Sequence, residues 1–205
     1  DVRPALNLRE LYDRISTCTM DSIYHHFCET TLRPSFDDPE YRNDFAVWAR
    51  YTLNDEILAE RLGILDPYDF TDMEALRRAV LDIIDDRLSE LSHFPWARQN
   101  KAFEFIQAYT MVFDTGRDIT NPEDLPYAIT QMTTSSLYYH FIEARRRVEG
   151  RLDDFTAWLM NWNGRSDFLI KTFSEVDFYF PTLKELQSEL ANTTKMVMRE
   201  ILIDE

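Results

Sequence analysis

The chain has 205 residues, a formal net charge of −15, and 44% hydrophobic against 29% charged residues. Fourteen Phe, ten Tyr and four Trp supply a packed core and exclude a disordered chain, while only four Gly argue for helices over a loop-rich sandwich. A surface this anionic repels phosphate backbones and lipid headgroups, and no apolar run is long enough to span a bilayer, so neither nucleic acid nor membrane is expected as a partner.

A first helix is predicted to open at Asn7, with Glu10 three residues on as its capping partner. A second begins near Thr19 and places Ile23, Phe27 and Thr30 on one face; Asp38 and Pro39 end it. The third carries Phe45, Trp48 and Ala49 at core spacing, and the fourth runs from Asn54 towards Leu62 and stops at Gly63. The fifth starts at a capping box, Thr71-Asp-Met-Glu74, and repeats Met73, Leu76, Val80, Ile84 and Leu88. Next, residues 103–113 are rich in aromatic and β-branched side chains and run into the turn Asp114-Thr-Gly116, which predicts a strand. A lone strand needs a partner, which is expected in residues 176–180, in another subunit, or in a segment preceding Asp1, where an initiator Met is lacking.

From there the plan repeats. Ser22, Tyr24, His26, Phe27, Glu29 and Arg33 recur as Ser136, Tyr138, His140, Phe141, Glu143 and Arg147. Upstream, Asn7, Leu11 and Ile15 match Asn121, Leu125 and Ile129, with Pro122 at the favoured first helical position. Downstream, Asp44-Phe-Ala-Val-Trp48 is answered by Asp154-Phe-Thr-Ala-Trp158, Phe70 by Phe180 and Leu76 by Leu186. Gly150 marks the break after the second helix of this copy, its fourth helix follows Gly164, and its last repeats Leu183, Leu186, Leu190, Thr194 and Met198. So many large aromatics in one order point to an internal tandem duplication. The expected division is residues 1–91, a connecting segment 92–114 with the strand, and residues 115–205. The expected fold class is mainly α, with a minor β element.

Three stretches, Tyr138-Tyr-His-Phe-Ile-Glu-Ala-Arg-Arg-Arg147, Asp154-Phe-Thr-Ala-Trp158 and Val112-Phe-Asp-Thr-Gly116, resemble a bacterial and archaeal domain family of unknown function over nearly the whole chain. The resemblance implies the architecture and no activity, cofactor or catalytic residue.

Few constellations carry chemistry. Two His-x-x-Glu steps, His26/Glu29 and His140/Glu143, put an imidazole and a carboxylate on neighbouring helical rows, where both could reach one metal between the copies. Di-iron bundles use the opposite order, Glu-x-x-His, with carboxylates from further helices, and here only Asp44 and Asp154 are added in both copies. The expectation is structural: each imidazole bonds to Asp44 or Asp154 in its own copy, and no metal is held. Ser22 and Ser136 are expected to serve the free amides of a helix start.

No Gly-flanked Ser elbow, phosphate-cradling loop or Cys-x-x-Cys occurs. Arg145, Arg146, Arg147 and Arg151 read as a solvated face neutralising Glu143, Glu149, Asp153 and Asp154. Cys18 and Cys28 read as small buried hydrophobes of a reducing compartment, so the cytoplasm is expected. No catalytic residue and no cofactor is expected. The leading function is a non-catalytic interaction or regulatory module, binding a protein partner or itself. The alternative is a metal- or small-molecule-binding protein, an enzyme included, that uses the His/Glu/Asp set between the copies.

Overall fold

Short polar side chains start each long helix of the first unit by accepting an amide left without a partner in its first turn. The computed structural model describes residues 3–32, 41–107, 109–162, 167–178 and 182–203. It separates into two compact units, residues 1–111 and 112–205. In the first, α1 (Leu8–Ile15) is capped by Asn7, whose side chain accepts from Glu10 N, while the Glu10 carboxylate accepts from Leu6 N. Thr19 caps α2 (Met20–Cys28), Asn43 caps α3 (Asp44–Tyr51) and Asp55 caps α4 (Glu56–Gly63). The cap of α5 (Met73–Glu90) is Asp72 rather than Thr71: its carboxylate accepts from Ala75 N at 2.7 Å.

The core of this unit follows from helical spacing. Leu76, Val80, Ile84 and Leu88 recur every fourth residue and are buried, facing Leu8, Leu11, Ile15, Ile23, Phe45, Leu58 and Leu62. Gly63 lets α4 approach, since a Cβ there would lie 2.8 Å from the Tyr41 ring. Residues 92–106 return to this core. Ala97 N donates to Leu6 O, and Ala5 and Phe103 exchange two antiparallel backbone bonds of 3.0 and 2.8 Å. The β element is accordingly smaller than the sequence predicts. Among the described residues it consists of two isolated bridges, Ala5 with Phe103 and Asn7 with Trp96. Among the described residues, 104–107, 109–113 and 176–178 belong to no strand.

The second unit is also helical. A 3₁₀ turn, Pro122–Asp124, leads into α6 (Leu125–Ile129 buried at its two core positions, the helix spanning Leu125–Gln131). Asn121 makes no side-chain cap there, because the tight turn takes the place of a first α turn. Thr133 caps α7 (Thr134–Leu137), which continues through a π turn, Tyr138–Glu143, into α8 (Ala144–Arg147). Gly150, at φ +74°, breaks the chain ahead of α9 (Asp154–Leu159), capped by Asp153. Then come α10 (Asp167–Glu175) and α11 (Leu183–Ile203). Gln187 of α11 donates to the carbonyls of Ile129 and Met132, closing the end of α6.

Phe27, Phe45, Trp48, Phe141 and Phe155 are buried as their spacing predicts, but Trp158 is only half-buried. Arg33, Asp38, Pro39, Gly164 and Phe180, and with them four predicted helix boundaries or matches, lie outside the described residues. No helix among the described residues is long and apolar enough to cross a membrane.

Candidate functional site

The buried polar residues of α2 are Ser22, His25 and His26, with Glu29 just past its end, so they line adjoining faces of one helix. His26 Nδ1 is 2.7 Å from Asp44 Oδ2, at the first turn of α3. Its other nitrogen, Nε2, accepts the Ile106 amide proton at 3.0 Å. An accepting Nε2 leaves the ring proton on Nδ1, so His26 is the neutral Nδ1–H tautomer and donates to Asp44. The ring lies among Phe45, Phe103 and Phe105, with centroids 5.4, 4.8 and 6.2 Å away. His26 thus ties α2, α3 and the returning segment together.

Glu29 turns away from His26. It meets His25 Nδ1 at 2.6 Å, both groups being buried, and leaves His25 Nε2 buried with no hydrogen-bond partner among the described residues. Sequence reasoning missed this pair, although the four-residue spacing that allows it is present. Ser22 Oγ is likewise buried without a partner, while its amide takes the Thr19 cap. The outcome for Ser22 is therefore the reverse of the expectation: its backbone is capped, and among the described residues its hydroxyl has no partner.

In the second unit His140 Nδ1 meets Asp154 Oδ2, again at 2.7 Å. The environment differs: the His140 side chain is 40% exposed, against 3% for His26. Glu143 is buried between Arg146 and Arg147, each at 3.1 Å, and Arg147 also binds Asp154 and lies 4.1 Å over the Tyr139 ring. Arg145 reaches Asp153 at 3.5 Å and covers Phe178 at 4.7 Å. The arginine run neutralises local acids, as its composition predicts.

His26 and Glu29, like His140 and Glu143, therefore do not converge on each other within their own units. One other set has the spacing of metal ligands. Ligand atoms of His25, His26 and Asp44 lie within 4.8 Å of one another. The donor set fits an ion poorly. Coordination through His26 Nδ1 requires its proton to move to Nε2, where it would face the Ile106 N–H, donor against donor. A groove of about 580 Å³ between α4 and the end of α5 is lined by Leu53, Ile57, Leu91 and Phe94. Its charged floor is closed on itself, because Arg87 Nε bonds both Asp55 oxygens, at 3.1 and 2.9 Å.

Comparison with known proteins bears on the fold. Residues 2–195 match the model of a family of unknown function, DUF5752. No curated protein matches the chain. The solved structure of OrfY from Thermoproteus tenax is similar with a TM-score of 0.78 and 26% identity, over 96% of this chain and 89% of that one.

Proposed function

The chain belongs to the DUF5752 family, whose function is unknown, and from that starting point we propose that it is a non-catalytic interaction or regulatory module. One observation carries this reading: both ring nitrogens of His26 are taken by groups that hold the fold, Asp44 and the Ile106 amide. The sharpest chemical candidate is thereby spent on structure. Glu29, Asp154 and Glu143 are likewise engaged within their own units. Large apolar side chains, by contrast, are offered to solvent: Tyr109, Met111, Val112 and Phe113 are 60–77% exposed. We take residues 1–91 and 115–205 to be two copies of one helical unit and place the protein in the cytoplasm, where two cysteines in no disulfide are at home.

The alternative, a metal- or small-molecule-binding protein, is favoured by the buried His25 Nε2, which has no hydrogen-bond partner among the described residues, beside His26 and Asp44. Elemental analysis of protein purified without chelator separates the two. The interaction reading expects no stoichiometric transition metal and no melting shift with zinc or cobalt. One metal per chain, lost in His25→Ala, overturns it.

A further inference from the structure

We propose that His26 is a proton-operated latch in the first unit: when its imidazole takes up a proton it lets go of residues 104–107, and the rest of that unit stays folded. The latch goes beyond the interaction reading and does not depend on it.

The two ring nitrogens have different duties. Nδ1 donates to Asp44 Oδ2 at 2.7 Å, a bond that the neutral and the charged ring make alike. Nε2 accepts the Ile106 amide proton at 3.0 Å, a bond that only the neutral ring can make. A proton arriving at Nε2 sets one N–H against another, on a side chain that is 3% exposed. The charged donor is then left buried without an acceptor, and it reaches water only when the segment that lies over it moves away.

The groups around the ring leave that proton a place. Asp44, from α3, favours the cation, and Phe45 from the same helix is uncharged. His25, on α2 with its ring centroid 5.0 Å away, is held through Nδ1 by the Glu29 carboxylate. The returning segment brings two uncharged rings, Phe103 and Phe105, and the amide itself.

Little else holds the piece that would move. Phe103 is anchored without His26, by its two backbone bonds with Ala5 and by stacking on Phe45 at 4.8 Å. Past it, among the described residues 104–107 and 109–111, the Ile106 amide is the one main-chain group that makes a hydrogen bond. Gln107 adds a side-chain bond at the surface, to Asp21 at 3.2 Å. Ile106 is 47% exposed, so the apolar contact given up on release is mainly that of the half-buried Phe105. The hinge falls between Phe103 and Glu104. Closure and protonation exclude each other, so the latch is shut above the range in which this imidazole titrates and opens as pH falls through it.

Amide exchange of the full chain tests this, followed residue by residue by NMR from about pH 8 to about pH 5.5 and divided by the intrinsic rate at each pH. Protection of Ile106 should fall towards acid by up to about tenfold per pH unit, while that of Val80 and Ile84, in the buried face of α5, should not follow it. The imidazole nitrogen shifts of His26 should pass from the Nδ1–H tautomer to the cation with the same midpoint. His26→Gln, which has nothing to titrate there, should make Ile106 protection independent of pH. The latch is overturned by Ile106 protection that does not change with pH, or that falls together with that of Val80 and Ile84. A midpoint apart from that of His26, or a pH dependence that survives in His26→Gln, overturns it equally.

Discussion

Asn43 and Asp153 stand at the same place, ahead of α3 and α9, and meet the same need with different chemistry. Each side chain accepts the amide three residues on, at 2.9 and 2.8 Å. Asn43 adds a donor to Leu62 O; Asp153 instead accepts the Thr156 hydroxyl at 2.7 Å. Burial pushes the Asp153 carboxyl above its ordinary value of 3.8, against the bonds from Thr156 and the nearby Arg145, which pull it down. The folded chain therefore keeps a proton that the unfolded chain gives up. Stability from this group is present below the ordinary value and is lost as pH rises through the raised one. Asp153→Asn should keep the cap and remove that decline, whereas Asp153→Ala should cost about 1–2 kcal/mol in thermal or urea melts, because both Thr156 bonds go. If the stability of Asp153→Asn falls with the same slope as wild type as pH rises above about 4, another group sets it. At this scale the His–Asp bonds were legible, since His26 and Asp44 recur together as His140 and Asp154. His25–Glu29 was not, because the sequence offers Glu29 two imidazoles. The choice falls to side-chain direction, which favours the residue one full turn back.

Among the elements, the returning segment 92–106 shows how a strand-like sequence ends as something less. Its content favours β structure, but a ladder needs a second strand, and among the described residues only Ala5 and Asn7 bridge to it. Side chains replace the missing ladder: Trp48 holds Lys101 O and His26 holds the Ile106 amide. Trp48→Phe should therefore cost about 1 kcal/mol beyond the lost ring area in urea unfolding. Trp158→Phe, whose indole nitrogen has no protein acceptor among the described residues, should lose nothing comparable. Equal losses would mean that ring packing alone is being read. Helix positions were legible from spacing and caps, while the π turn left no mark that a periodicity of 3.6 can register.

For the molecule as a whole, the division into two units makes a simple demand. The buried cluster that contains Phe45, Leu76 and Phe103 draws all of its members from residues before 104. Residues 1–111 alone should thus retain helical circular dichroism and unfold in one cooperative transition. A fragment with a helical signal but a broad, non-cooperative melt would show that its packing depends on the rest of the chain. The repeated order of aromatics made the helical plan legible. Function was not legible in the same way, because the residues that recur are mainly those that hold each unit together.

The π turn at Tyr138–Glu143 has one more consequence, for how the chain can change in length. A π turn bonds each residue to the fifth one on, so it holds one residue more than an α turn. Deleting one residue there restores ordinary helical bonding and leaves Leu137 before it and Ala144 after it on the buried faces they already occupy. The same deletion within α5 would rotate everything that follows by about 100° and carry Leu88 off the core. Of the two units, the second is the one whose central helix can lose a residue and still fit.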